Sequence, residues 1–251
     1  MSGHSKWSSI KHQKGVADAR RGQLFTKLTR EIIVTVRQGG SNPDTNFRLR
    51  LAVQKARDSN MPLDNIERAI KRGSGELEGV TLIEMILEGY GPSGAAIMVE
   101  ALTDNRNRTL QEIRNIFSRG GGSLGENGSV TWLFDSKGLI IVEAQDTDTE
   151  ELTLKAIDAG AEDVNAKNAY VEIYTKPEEL ETVRTALEQE NIPIVSTEVS
   201  MVPKTTLQLE EKQAIQTLRL LHKLEEMDET QSVCSNINFP DDVLEKYQEK
   251  A

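Results

Sequence analysis

The residues best suited to chemistry in this chain are cations and rings near its N-terminus. Lys6, Lys11, Lys14, Arg20 and Arg21 are interleaved with His4, Trp7 and His12, and Lys27, Arg30 and Arg37 follow at helical spacing. Lysine and arginine neutralise phosphates, and rings stack on unpaired bases. The expected nucleic-acid contact is therefore Lys6, Trp7, Lys11, His12, Lys14, Arg20, Arg21, Lys27, Arg30 and Arg37. Trp7 fits two roles equally, a base-stacking platform or an apolar anchor tying the arm to the fold.

Other chemistries find no nucleus. His4 and His12 are eight apart and His222 is isolated, with no Cys-x-x-Cys or His-x-x-x-His spacing, so no metal is expected. GYGPSG and GGGSLGENG are glycine-rich but lack the Lys-Ser/Thr of a phosphate loop, and no cofactor is expected. The first reads as a hairpin turn and the second as a helix stop with a loop. Carboxylates such as Glu178, Glu179, Glu181 and Glu188 fall on an outward helix face, and no nucleophile has a partnered base, so no catalytic residue and no enzyme activity is expected. Asp104-Asn105 before Arg106 and Arg108 reads as a strand-to-helix turn capped by Asp104 or Asn107. The lone Cys234 reads as a buried strand residue, and without a partner it fits a reducing compartment.

The first cations sit on or ahead of an amphipathic helix over 17–38. Leu24, Leu28, Ile32 and Val36 recur every fourth residue, Phe25 and Ile33 widen the stripe, and Arg20, Lys27, Arg30 and Arg37 take the opposite arc. Gly39-Gly40 stops that helix, and Asn42-Pro43-Asp44 reads as the start of a second. Pro62 opens a third, with Leu63, Ile66 and Ile70 inward and Gly73 at its end. Strands are expected at 81–90, 95–103, 129–134, 138–144, 168–175, 192–201 and 232–239, and helices at 108–118, 149–159, 177–190 and 207–226. The order β-α-β-α-β after 138 is the split-βαβ theme, enclosed by elements that complete a ββαβ…αβ unit.

Four segments carry a family resemblance: GHSKWSSIKHQKGVADARRGQLFTKLTREI, MPLDNIERAIKRGSGE, EGYGPSGAAIMVEALTDNRNRT and GGSLGENGSVTWLF. Together, collinear over most of the chain, they resemble the YebC family. That family includes bacterial proteins called probable transcriptional regulators and the mitochondrial translational activator of cytochrome c oxidase. The resemblance implies a three-domain, non-enzymatic regulator of gene expression linked to nucleic acid.

Composition agrees with that division of labour. Residues 1–75 hold fifteen Lys and Arg against six Asp and Glu, a net of +9, and the rest of the chain carries −19 within the total of −10. Charge split this way marks a nucleic-acid-binding end on a body that repels phosphates. The expected fold class is α+β, an N-terminal helical bundle followed by two ferredoxin-like sandwiches, one inserted in the other. The expected domains are 1–78, then 79–135 with 205–251, then the insertion 136–204. The expected partner is DNA or ribosomal RNA, the latter on the ribosome, bound by a monomer. A protein-binding adaptor acting through the acidic domains is the alternative. No apolar run reaches the length of a membrane span, and the expected location is cytoplasmic.

Overall fold

A computed structural model describes residues 18–144, 148–167 and 170–248, which form eight α-helices and two antiparallel four-stranded sheets. The chain divides into two compact units. One holds the described residues up to Leu133 and from Pro203 onward, and the other spans Phe134–Val202.

The first unit opens with three helices: α1 (Asp18–Gly39), α2 (Phe47–Asp58) and α3 (Leu63–Ser74). Leu28, Ile32 and Val36 of α1 pack on Leu49, Ala52 and Ala56 of α2 and on Ile66 and Ala69 of α3. Gly73 is the penultimate residue of α3 and not its stop, and a Cβ there would stand 2.6 Å from Val36 Cβ and 2.9 Å from the Ile33 carbonyl oxygen. The helix ends instead at Gly75, whose φ of +86° suits glycine. Residues 43–45 form a turn, and α2 starts later, where the Asn46 side chain accepts from the Leu49 N–H at 3.1 Å. The same amide donates to the carbonyls of Thr35 and Gly40, both at 2.8 Å, and so ties α1 to α2. Leu63, expected inward, is in the first turn of α3 and 60% exposed.

The first sheet follows. Strands β1 (Ile83–Tyr90) and β2 (Ala96–Thr103) form a hairpin, α4 covers Arg106–Arg119, β3 is Ser123–Leu124, and the order is β3-β1-β2-β8, with β8 at Thr230–Ser235. Helix α7 (Glu211–Glu225) packs beside α4 on one face, burying Phe117, Leu218 and Leu221 over Leu87, Val99 and Val233. Asn105 caps α4, in place of either Asp104 or Asn107, by accepting from the Arg108 N–H at 3.1 Å. Residues 131–133 form a 3-10 turn where a strand was expected. The tail carries an unforeseen helix, α8 (Asp241–Gln248), whose Val243 and Leu244 join this core. Cys234 is buried on β8, as its strand reading requires.

The second unit runs β4 (Phe134–Glu143), α5 (Thr149–Asp158), β5 (Asp163–Lys167), β6 (Tyr170–Thr175), α6 (Leu180–Gln189) and β7 (Ile194–Pro203), in sheet order β5-β6-β4-β7. Strand β5 is an addition to the expected elements and completes the split-βαβ order of a ferredoxin-like sandwich. After its three helices the first unit has the expected ββαβ…αβ order, with β3 at Ser123–Leu124 in place of the strand expected at 129–134.

Candidate nucleic-acid interface

Lys6, Trp7, Lys11, His12 and Lys14 lie outside the described residues, and Arg20 is in the first turn of α1. Arg21 is exposed, with its guanidinium 5.9 Å from the centre of the Phe25 ring. Arg37 is exposed and donates to the Val80 carbonyl at 3.2 Å.

Lys27 and Arg30 are placed differently from the expected solvent arc. Lys27 is half-buried, and its ammonium donates to the Glu225 carbonyl at 2.5 Å. Arg30 is 3.9 Å from Glu229, which also takes the Arg108 guanidinium at 3.0 Å. The cause is that α1 is covered on two sides. Ile32, Ile33, Val34, Thr35 and Val36 are all buried in succession, so no full polar face survives there. The acidic turn after α7 meets the cations that periodicity assigned to solvent.

Outward positive charge comes instead from α2 and α3. Arg57, Lys71 and Arg72 are exposed, and none forms an ion pair with a described residue. Arg68 is exposed, and its Nε is held by the Asp64 carbonyl at 3.0 Å. Arg68, Lys71 and Arg72 are not among the expected contact residues, although their spacing sets them on the outward side of the helix. They fall between the buried positions Ile66, Ala69 and Gly73, on the opposite side of α3. Other cations of α2 are engaged, Arg48 with Glu84 at 2.9 Å and Lys55 with Glu31 at 3.5 Å.

A groove of about 620 Å³ runs along this side, between α1, α3 and the segment joining α3 to β1. Phe25, Ile33, Met61 and Leu82 line it with apolar surface, and Arg30, Arg68 and Arg72 line it with guanidinium groups.

The face of the first sheet turned away from α4 and α7 holds a second built feature. Glu88 is 5% exposed, and its carboxylate accepts from the backbone N–H groups of Gly128, Val130 and Thr131 at 2.7–2.8 Å. Burial pushes this carboxyl up, and the three N–H bonds outweigh it, holding it below the usual carboxylate value. The bonds explain the 3-10 turn. With these N–H groups directed at one carboxylate, residues 128–131 cannot offer them to a neighbouring strand. The turn presents Trp132, 65% exposed, with its indole N–H donated to the Ser129 carbonyl at 3.0 Å. Tyr90 donates its hydroxyl to the same carbonyl at 2.8 Å. Across the sheet Glu100 behaves oppositely. Burial holds its carboxyl above the usual value against a single Ser232 hydroxyl donor at 2.8 Å.

Residues 5–76 match the TACO1/YebC protein N-terminal domain, and residues 82–237 match the TACO1/YebC second and third domain. The chain belongs to the TACO1/YebC family. Relatives in this family include a "Probable transcriptional regulatory protein" of Dehalococcoides mccartyi strain CBDB1, 60% identical over 251 residues and all of both chains. Another of the same name, from Natranaerobius thermophilus, is 50% identical over 98% of this chain and 99% of its own. A crystal structure of a conserved hypothetical protein of Aquifex aeolicus superposes with a TM-score of 0.85 at 50% identity, covering 92% of this chain and 96% of that one. Within this YebC-family chain, no helix of the described residues is long and apolar enough to cross a membrane.

Proposed function

We propose that this protein is a non-enzymatic regulator of gene expression that binds nucleic acid through its basic N-terminal domain. The observation that carries the reading is the outward set Arg57, Arg68, Lys71 and Arg72 on the end of the chain that holds the net +9. The cations ahead of α1, Lys6, Lys11 and Lys14, extend the same charge along the sequence, with Trp7 and His12 as ring partners. Lys27 and Arg30 contribute field rather than direct contact, because both are bonded within the fold. The organisation proposed is a basic domain 1–78, a discontinuous domain 79–135 with 205–251, and an insertion 136–204. The last two are acidic and confine a polyanion to the basic end.

The relatives' name favours DNA and transcription. Ribosomal RNA is the second reading, favoured by a basic end on an acidic body, a form suited to insertion into ribosomal RNA. Cytoplasmic location and a monomeric state belong to both.

Binding of duplex DNA and of structured RNA, measured against salt, tests the proposal. Replacing Lys11, Lys14, Arg57 and Lys71 by Glu should weaken binding, each lost phosphate contact reducing the salt slope by roughly 0.7 to 0.9. Unchanged affinity and slope on both ligands would transfer the function to the acidic domains as a protein adaptor. Sedimentation of a crosslinked lysate then separates ribosome from nucleoid.

A further inference from the structure

We infer that the groove between α1 and α3 binds one unpaired nucleotide, base inward and phosphate at the rim; the inference rests on the nucleic-acid reading above. Its volume of about 620 Å³ lies in the range of sites that enclose small molecules, roughly 300–1,000 Å³. The floor of Phe25, Ile33, Met61 and Leu82 offers apolar contact to a flat ring. At the rim, Arg68 and Arg72 are one turn apart on the outward side of α3, and both are exposed. Arg68 is held in place by two bonds to its own helix, from Nε to the Asp64 carbonyl at 3.0 Å and from Nη2 to the Asn65 side chain. A guanidinium fixed in advance loses less freedom on meeting a phosphate.

The polar groups between floor and rim are acceptors. Thr26 and Thr29 donate their hydroxyl hydrogens to the carbonyls of Gly22 and Phe25, at 3.0 and 2.7 Å, so only lone pairs are left for a ligand. Glu78 adds a carboxylate, and Asp104 adds a second whose Oδ1 already accepts from the Arg108 guanidinium at 2.8 Å. Acceptors suit the N–H groups of a nucleobase, and a carboxylate pairs with the amino group of cytosine. An acidic peptide, the other occupant that arginines would attract, is disfavoured by those two carboxylates. At the inner end Arg30 and Arg108 face the carboxylates Glu229 and Asp104. Arg30 shares its carboxylate partner Glu229 with Arg108, and its Nη1 is buried with no hydrogen-bond partner.

The test compares oligocytidylate with an abasic oligonucleotide of the same length and backbone, titrated into the full chain by fluorescence anisotropy. The groove reading expects the abasic strand to bind roughly tenfold more weakly at equal salt, since stacking and edge contacts need the base. Leu82→Trp, which fills the groove from the α3–β1 connection, should erase that preference and leave salt-dependent duplex binding in place. Glu78→Trp, at an exposed position, provides the same blockade if Leu82→Trp does not fold. Equal affinity for the two strands, with salt-dependent binding retained, overturns the nucleotide site while the basic-surface reading stands. A base preference that survives both blocking variants in folded protein also overturns it. Failure to bind either strand and duplex DNA or RNA overturns the reading on which it rests.

Discussion

The two sides of the first unit handle charge in opposite ways. On the side where α1 meets the sheet, ionic groups are bonded into the fold. Lys27 reaches the Glu225 carbonyl, Arg30 and Arg108 share Glu229, and Glu88 gathers three backbone N–H groups. On the α3 side, Lys71 and Arg72 form no ion pair with a described residue, and Arg57 on α2 is alike. Charge bonded internally has a structural use that predicts stability, whereas charge left in solvent is available to a polyanion. Sequence position does not separate the two classes, since Arg30 and Arg57 both lie in the basic segment.

The comparison sharpens most at Glu88. Glu88→Ala should destabilise the chain by about 3 kcal/mol in denaturant unfolding, because the Val130 N–H in particular is buried and would lose its acceptor. The pH dependence has a definite sign. The folded carboxyl titrates below its unfolded value of 4.5, so its contribution is complete above that pH and is lost as pH falls through the lower folded value. The stability difference between Glu88→Ala and the parent chain should therefore narrow in acid. A constant difference down to the acid transition would contradict the assignment.

Arg30→Ala should cost less, about 1 kcal/mol, since Glu229 keeps Arg108 and the side chain is partly solvated. Loss of affinity without loss of stability would place Arg30 in the outward class and break the comparison at that residue.

Glu100→Gln should act in the reverse direction, stabilising by up to ~1 kcal/mol near neutral pH. Its folded carboxyl titrates above the unfolded value, so the native state is favoured by protonation below the ordinary carboxylate range and loses that contribution as pH rises through the folded value. The neutral amide can still accept from Ser232, and the gain over the parent chain should vanish in acid, where both are uncharged.

The smallest stability effect is expected at the outward cations. Arg57→Glu with Lys71→Glu should leave the melting temperature unchanged within error while lowering the salt slope of nucleic-acid binding by roughly 1.5. A melting shift comparable to that of Arg30→Ala would erase the distinction between the two sides.

Periodicity and punctuation in the sequence were enough to determine the helices around Leu28, Ile66 and Phe117, the hairpin at Gly91–Gly94 and the charge division at the end of the basic segment. These follow from local rules: a 3.6-residue apolar repeat and turn residues between strands. The family also was legible, from four collinear segments. Only the tertiary structure decided which cations face water. Periodicity gives the angle of Arg30 about its helix, not the identity of what lies opposite, and Glu229 arrives there from nearly two hundred residues away. A shorter separation, 42 and 43 residues, hid the turn at 131–133, where local pattern favours a strand until Glu88 takes the N–H groups of Val130 and Thr131. Gly73 was misread for that reason too. A glycine near a helix end looks like a stop until the approach of Val36 shows that the missing Cβ is what allows α3 to lie against α1.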